Sequence, residues 1–315
     1  MIDADALFAK SKRPLVLGIG GGGDVVGAFA TAEACRLYHG ADPILGGVTW
    51  ERRSIDPTPG PRAIGEIEGA AKLAPGVVAA TPETHVRDSG VLFAESHMAA
   101  VLGCEIMLVD PNGGPTAVAH GLAQAAGALA ADLLVFIDVG GDALAHGDEP
   151  GLSSPLCDAI MLAAADKLAG ADIPVLGAIY GVGCDGELTV TEVVDRLAEV
   201  AAAGGFAGAR GITPAVAQTL AEAIDAVPTE ASALALRSFM GQTGAVEIRQ
   251  GRRTVELTPL AAMTFYFDIP AAVRSAARLA AAVKDAAGLE EANERLHELG
   301  VRSELDLELA AAAGR

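Results

Sequence analysis

The chain has 315 residues, of which 51% are hydrophobic, and a formal net charge of −19. This length and apolar content allow a sizeable core, which excludes a disordered tail and a disulfide-stabilised miniprotein. The acidic balance argues against a protein that binds nucleic acid or an anionic membrane surface. The four cysteines, Cys35, Cys104, Cys157 and Cys184, form no Cys-x-x-Cys pair, so neither a zinc ribbon nor a disulfide scaffold is indicated.

The amino terminus is too polar for a signal peptide, and the cysteine usage suits a reducing compartment, so we expect a cytoplasmic protein. Residues 111–131 lack Asp, Glu, Lys and Arg, but Asn112, Pro115, His120 and Gln124 would be costly in hydrocarbon. We interpret this span as a loop followed by a buried helix.

Short apolar runs alternate with alanine-rich helical stretches over residues 1–190, a pattern typical of right-handed βαβ units. Central strands are predicted at residues 14–19, 43–48, 106–110, 133–138 and 174–180, with a weaker strand at 77–80. Helices are predicted between them at residues 24–38, 64–73, 88–102, 115–130 and 153–169. The predicted fold class is therefore α/β, with a doubly wound, mostly parallel, Rossmann-like sheet.

The alternation of strands and helices ends after Asp185. Helices are predicted at residues 191–203, 214–226 and 229–240, without an intervening strand. A hairpin at 245–249 and 254–258 and a strand at 263–268 are expected to extend the sheet antiparallel at an edge. The tail is predicted to be helical at 270–285, 288–299 and 304–309. We interpret residues 1–315 as one domain, with a parallel core over 1–190 and an elaboration over 191–315.

The first predicted strand runs into a glycine loop, in which Gly18, Gly20 and Gly23 satisfy G-x-G-x-x-G before a helix. In that context Gly20, Gly21, Gly22 and Gly23 are candidates to cradle a phosphate at the helix start. Asp24 either caps the helix, in competition with an anion, or faces a ribose hydroxyl, an amine or a metal. No Gly-Lys-Ser/Thr follows, which excludes a P-loop nucleotide hydrolase.

The second strand is followed by Trp50, Glu51, Arg52 and Arg53. Glu51 lies late for the acid that binds the ribose of NAD, so a dinucleotide enzyme fits poorly. Glu51 and Arg52 remain candidates for ligand contact, with Trp50 stacking on a base. The alternative is a half-buried tryptophan beside solvated arginines.

Further glycine and aspartate loops follow other strands, with Gly140, Gly141 and Gly183 as candidate ligand contacts and Asn112 and Gly113 in a similar loop. Because parallel strands end at one edge of a sheet, we expect these loops to meet at its switch point. The expected result is a shallow acidic cleft, lined by Asp24, Asp110, Asn112, Asp138, Asp142 and Asp185.

Such carboxylates have three uses: binding a hard cation, transferring protons with a raised pKa, or capping helices. We assign Asp138 and Asp142 as candidate Mg²⁺ ligands, and Asp138, Asp142 and Asp185 as candidate catalytic groups. His146 follows this loop and is the candidate general base, with an exposed loop histidine as the alternative. No histidine pair has zinc-binding spacing, and no haem or pyridoxal phosphate signature is present.

Several motifs together resemble the family catalogued as domain of unknown function 1152. They are Gly20–Asp24, Gly46–Arg52, Asp56–Arg62, Asp138–Asp142, Phe267–Asp268 and Glu291–Asn293. The resemblance implies a Rossmann-like single domain of bacteria or archaea, with no established shared activity.

The leading functional hypothesis is an enzyme that binds a nucleotide or a phosphorylated small metabolite and catalyses hydrolysis or group transfer, assisted by Mg²⁺. One alternative is a non-catalytic ligand-binding or regulatory protein. Another is a metal-independent hydrolase that uses paired carboxylates. The expected partner is a small molecule, with no nucleic acid and no membrane. The alanine-rich face of residues 270–285 suits a homo-oligomer interface, although most such faces pack on their own domain.

Overall fold

Two sheets and a surrounding set of helices make up the computed structural model, which describes residues 2–170 and 173–314. The strands are β1 (Pro14–Gly18), β2 (Ile44–Val48), β3 (Ile67–Ala74), β4 (Val77–Val86), β5 (Ile106–Val109), β6 (Leu133–Val139), β7 (Val175–Tyr180), β8 (Phe206–Gly211), β9 (Gly244–Ile248), β10 (Arg253–Leu257) and β11 (Met263–Phe267). The helices are α1 (Ala4–Lys10), α2 (Asp24–His39), α3 (Ala94–Leu102), α4 (Gly114–Ala128), α5 (Pro155–Leu168), α6 (Val190–Ala202), α7 (Pro214–Ala226), α8 (Ala231–Phe239), α9 (Ile269–Ser275), α10 (Arg278–Val283), α11 (Leu289–Glu298) and α12 (Glu304–Ala313).

The main sheet has nine strands in the order β3-β4-β5-β2-β1-β6-β7-β11-β8. The five central strands, β5-β2-β1-β6-β7, are parallel, and the flanking strands pair antiparallel. From β1 the chain moves outward through β2 to β5 and then crosses back to β6 on the other side of β1. The switch point, where such sheets bind ligands, therefore lies between β1 and β6.

Both faces of the central strands are covered, which confirms the predicted doubly wound α/β class. Along β1, Leu15 and Leu17 pack into one core with α4 and α5, whereas Val16 packs into the opposite core with α2 and α3. Strand side chains alternate between faces, so a strand buried on both sides must be apolar at every position. This requirement explains why the central strands were readable from sequence.

Two predicted crossover helices differ from the structure. The helix predicted at 64–73 is wrong, because only Ile64–Glu66 forms a 3₁₀ turn and the chain then enters β3, paired with β4. Its alanines fit either structure, and pairing with β4 overrides their helical preference. The helix predicted at 88–102 begins only at Ala94, since Leu92 forms a β-bridge with His85.

The elaboration after Asp185 also differs in part. The prediction of no strand between the helices is wrong, because β8 lies between α6 and α7 and forms an edge of the main sheet. Few β-branched residues mark this edge strand, so it gives little sequence signal. The predicted hairpin is confirmed as β9 and β10, but the expectation that it extends the main sheet is wrong, because the two strands form a sheet of their own. The strand predicted at 263–268 is β11, which joins the main sheet antiparallel between β7 and β8 and not at its edge. The helix predicted at 270–285 is divided into α9 and α10.

The span 111–131 contains the predicted loop and helix α4, but only one face of α4 packs into a core and the other face is exposed. Among the residues that the structure describes, no helix is both long and apolar enough to cross a membrane.

Candidate functional site

Buried carboxyl groups gather at the switch point of the sheet. They come from the loops after β1, β6 and β7, which end at the same edge, and from the first turn of α5. They form two triads, and in each triad one oxygen per carboxylate lies within 4.8 Å of the others. We call Asp24, Asp138 and Asp158 the first triad, and Asp142, Asp185 and Glu187 the second triad.

In the first triad, Asp24 and Asp138 accept hydrogen bonds from backbone N–H groups, whereas one oxygen of Asp158 accepts none within the described residues. Asp24 Oδ2 accepts from the N–H of Gly20 at 3.0 Å and of Val139 at 3.4 Å. Asp138 Oδ2 accepts from the N–H of Ala143 at 3.1 Å. Asp158 is 2% exposed, and its buried Oδ1 accepts no hydrogen bond within the described part of the chain. A buried oxygen without a donor is unusual and points to a missing positive partner.

The second triad also contains a buried carboxylate oxygen without a hydrogen-bond donor in the part of the chain that the structure describes. Asp185 is buried, and its Oδ1 lacks a hydrogen-bond donor among residues 2–170 and 173–314. Glu187 Oε2 accepts from the N–H groups of Ser153 and Ser154, both at 2.8 Å, just before α5. Asp138 and Asp142 influence each other's pKa, so the two triads are electrostatically linked.

Burial raises the pKa of most of these carboxyls, since charge is disfavoured away from water. It brings the pKa of Asp24 and of Asp185 to about 7. Burial, with repulsion from neighbouring acids, raises the pKa of Asp138, Asp142 and Asp158 well above their usual range.

The pKa of Glu187, unlike that of the other triad carboxyls, is lowered. Burial alone would raise its pKa, but a hydrogen bond from Ser154 and the charges of Arg253 and Arg249 outweigh that effect and lower it. Glu187 is therefore the member of the second triad that most readily carries a negative charge, held between arginines and the start of α5.

The cluster holds more acid than the nearby basic groups can balance. Six triad carboxyls face Arg52, Arg249 and Arg253, whose charges act on Asp24, Asp185 and Glu187. Buried charges require partners, so these acids must either keep protons or share a cation. Several carboxylate oxygens around one point suit a hard cation such as Mg²⁺ or Ca²⁺.

The glycine loop lies beside the first triad, and contacts with the chain itself explain its glycines. The N–H of Gly22 donates to the carbonyl oxygen of Trp50 at 2.9 Å, and a Cβ on Gly21 would lie 2.5 Å from that same oxygen. A Cβ on Gly23 would lie 2.4 Å from Thr229. Asp24 does not cap α2, but the N–H groups of Gly20 and Gly22 already donate to Asp24 and Trp50, so this loop is less suited to a phosphate than the motif suggests.

The residues predicted after the second and fifth strands have structural partners. Glu51 Oε1 accepts from the N–H of Ala94 at 2.6 Å and so caps α3. Arg52 packs along Gly22, with its Cγ 3.2 Å from the position of a Cβ there. Asn112 donates from Nδ2 to Asp110 at 2.8 Å and to the carbonyl oxygen of Pro61 at 3.2 Å. Gly113 is the N-cap of α4.

The remaining predicted glycines bring the loops together. The N–H of Gly183 donates to the carbonyl oxygen of Gly140 at 2.8 Å, linking the loops after β7 and β6. A Cβ on Gly140 would lie 2.2 Å from the carboxyl carbon of Asp185, and one on Gly141 would lie 2.5 Å from Val193. These glycines allow close approach at the second triad.

His146 lies in a different group. Its Nε2 is 2.9 Å from Glu199 Oε2, and Asp148 and Glu149 complete a third acidic group around it. The structure therefore places this predicted base in an ion-pair network with α6, outside both triads. The expected shallow cleft is in fact a buried cluster, and Asp110 lies apart from it, bonded to the N–H of Ile64 at 3.1 Å.

Three buried acids of the cluster are not among the residues predicted from sequence: Asp158, Glu187 and Glu304. Asp158 does have a sequence signal, as the lone charged residue over positions 155–165 of α5. Glu304 has none, because it comes from α12, yet it accepts from the N–H groups of Leu156 and Cys157 at 3.0 and 2.8 Å. Burial raises its pKa to about 8.

A family model described as a protein of unknown function, DUF1152, matches residues 15–312. The chain belongs to this family. The match confirms the resemblance found in the sequence motifs, and it spans every element that contributes to the two triads. No curated protein and no solved structure matches the chain.

Gly20→Ala is expected to perturb the first triad while the protein still folds. The added Cβ would lie 2.7 Å from Asp24 Oδ2 and 3.0 Å from Asp158 Oδ2, so the two carboxylates must separate. We expect a loss of about 1–3 kcal/mol in the free energy of unfolding, measured by urea denaturation.

Gly127→Ala in α4 is the matched control. A Cβ there meets no atom within 4 Å, and the site is exposed. It should be neutral or stabilise by up to about 1 kcal/mol. Equal effects of the two substitutions would contradict the close packing of Gly20 against the triad.

Proposed function

We propose that this protein is a divalent-cation-dependent enzyme that catalyses hydrolysis or group transfer on a nucleotide or another phosphorylated small molecule. The observation that carries the proposal is the pair of adjoining buried triads, each with an aspartate oxygen, of Asp158 and Asp185, that lacks a donor within the described chain. Neither capping nor loop stability accounts for such oxygens, since a capping carboxylate uses its oxygens as acceptors.

A bound cation would compensate the negative charge of the buried carboxylates. Proteins keep buried carboxylates charged by pairing them with cations, and a bound divalent ion is the largest local charge in such a site. The first triad offers three aspartates, and the second offers two aspartates and a glutamate. Both sets consist of oxygen ligands, which Mg²⁺, Mn²⁺ and Ca²⁺ accept.

The position and the neighbours of the triads favour phosphate chemistry. The triads lie at the carboxyl edge of the sheet, where open α/β folds bind substrates. A divalent cation held by the carboxylates of the two triads would supply Lewis acidity to a phosphoryl oxygen. Asp24 and Asp185, whose pKa values are about 7, are placed to hold or release a proton at neutral pH.

The first experiment is a thermal-shift screen of nucleotides, sugar phosphates and inorganic phosphate, with and without Mg²⁺ or Mn²⁺. A ligand at one hundred times its Kd should stabilise the protein by about 2.7 kcal/mol. A shift that requires both a cation and a phosphate would support the proposal, and the phosphate class found then defines the assay. No shift with any cation would contradict it.

Asp142→Asn is expected to abolish cation-dependent turnover, because it replaces a charged oxygen ligand of the second triad with a neutral amide. We expect kcat to fall by at least about a hundredfold. Asp195→Asn, at an exposed position in α6, is the control and should leave kcat unchanged. Unchanged turnover in Asp142→Asn would remove this residue from the mechanism.

The metal-independent hydrolase remains a second candidate, favoured by the raised pKa values of Asp24 and Asp185. Paired carboxylates that share a proton can act as acid and base without a metal. Turnover that persists undiminished in EDTA would favour this candidate over the cation-dependent enzyme.

A further inference from the structure

The β9–β10 hairpin places two arginines against the second triad. Arg249 begins the hairpin turn and Arg253 is the first residue of β10. The hairpin packs directly on the loop after β7, where a Cβ on Gly186 would lie 3.0 Å from Val255 Cγ1 and 3.5 Å from Arg253 Cδ. The absence of a side chain at Gly186 therefore lets the hairpin, including the Arg253 side chain, pack close to the second triad.

The two guanidinium groups are only loosely paired. Arg249 Nη2 lies 3.4 Å from Glu187 Oε1, and Arg253 Nη1 lies 3.7 Å from the same oxygen. Arg253 Nη2 donates to Ser153 Oγ at 2.6 Å, but its buried Nη1 finds no hydrogen-bond acceptor among the described residues. A buried charged donor without an acceptor is costly, so this group points to a further anionic oxygen.

The arginine side chains are partly exposed, whereas the carboxylate that they contact is not. The Glu187 side chain is fully buried, whereas those of Arg249 and Arg253 are 25% and 19% exposed. In a chain of formal charge −19, two adjacent arginines at this point form a local anion-attracting surface.

We propose that Arg249 and Arg253 form the phosphate-binding half of the site and hold the phosphoryl group of the substrate against cations bound by the second triad. The inference rests on the proposed function and assigns the substrate's anionic group to the hairpin in place of the glycine loop. Arginine suits this role because its planar, always charged fork matches the geometry of phosphate oxygens.

Glu187 couples the two halves of the site. Without a cation its carboxylate is the nearest anion to both arginines. When a divalent cation shares that carboxylate, less of its negative charge remains for the guanidinium groups, and they are then free to bind the oxygens of a phosphate. Phosphate is therefore expected to bind more tightly in the presence of the cation, and the cation more tightly in the presence of phosphate, by the same factor.

The test is calorimetric titration of inorganic phosphate into the full chain, with and without saturating Mg²⁺, together with a separate Mn²⁺ titration without phosphate. Arg253→Gln and Arg249→Gln should each weaken phosphate binding at least about tenfold, since each removes a charge-assisted contact. Mn²⁺ affinity should be retained or increase, because a nearby positive charge is lost. Arg252→Gln, in the same turn but exposed, is the matched control.

The outcomes separate the two proposals. Phosphate binding that is unchanged in both Arg253→Gln and Arg249→Gln would overturn the hairpin's role, even if Mn²⁺ binds normally. Cation binding without any phosphate binding by the wild type would also overturn it and leave the cation site standing. Phosphate binding that is lost in both variants, when Mn²⁺ does not bind the wild type, would support the hairpin and contradict the cation-dependent function. The two substitutions are tested separately, so that misfolding of one does not decide the result.

Discussion

In EDTA, the protein is expected to unfold at a lower temperature at pH 8 than at pH 6, and Mg²⁺ or Mn²⁺ to restore most of the difference. The carboxyls of Asp24 and Asp185 have pKa values raised to about 7, and that of Glu304 is raised to about 8, chiefly by burial. In the unfolded chain these groups have ordinary pKa values and have lost their protons well below pH 6.

The sign follows from proton linkage. Between pH 6 and pH 8 the folded protein binds more protons than the unfolded chain, so its free energy of unfolding falls as the pH rises. A proton retained in full contributes a loss of about 1.4 kcal/mol per pH unit, and the partly retained protons of Asp24, Asp185 and Glu304 together give about 2–3 kcal/mol per unit across this window. Glu187, whose pKa is lowered, has the opposite effect only in the acidic range, below the window measured.

Divalent cations compete with these protons for the carboxylates, so they bind more tightly as the pH rises. The stabilisation by Mg²⁺ or Mn²⁺ should therefore be several degrees larger at pH 8 than at pH 6, measured by differential scanning calorimetry at constant ionic strength. Na⁺ at matched ionic strength is the control. A cation effect that is the same at both pH values would show that the ions do not replace protons in the triads.

The second expected result is that Asp158→Asn stabilises the cation-free protein and weakens cation binding. The buried Oδ1 of Asp158 has no donor among the residues described, and its neighbours in the triad are the acids Asp24 and Asp138. An amide of the same shape removes one acid from the cluster and can donate to the other carboxylates. We expect a gain of about 1–3 kcal/mol in the free energy of unfolding at pH 8 in EDTA.

With Mn²⁺ the same substitution should weaken affinity at least about tenfold, because a charged oxygen ligand is lost. Urea denaturation in EDTA and Mn²⁺ titration calorimetry measure the two effects separately. Asp195→Asn, exposed in α6, should change neither quantity. Destabilisation of Asp158→Asn in EDTA with undiminished Mn²⁺ affinity would mean that Asp158 has only a structural role.

Sequence patterning located several residues of the buried acidic cluster because they follow strands. Asp138, Asp142 and Asp185 lie in loops directly after apolar runs, and parallel strands bring such loops to one edge. Asp24 was found in the same way, at the start of the helix that follows β1. For these acids, local pattern and a general rule of topology were sufficient.

Residues that reach the cluster only through tertiary packing could not be predicted from the sequence. Glu304 enters it because α12 places its first residue against the start of α5. Arg253 enters it because the β9–β10 hairpin forms its own sheet and packs on Gly186. His146, a candidate from its position near the loop, instead forms a hydrogen bond with Glu199 of α6.

The sequence by itself determined the doubly wound α/β class, the central strands and the acidic loops after β1, β6 and β7. It could do so because burial on both faces forces apolar strands, and because chain reversal places glycine and aspartate where strands end. The tertiary structure alone decided the strand order, the partners of the glycine loop, and the closure of the cluster by α5, α12 and the hairpin. These features depend on contacts between residues far apart in the chain. Such contacts produce no local sequence pattern from which they could be predicted.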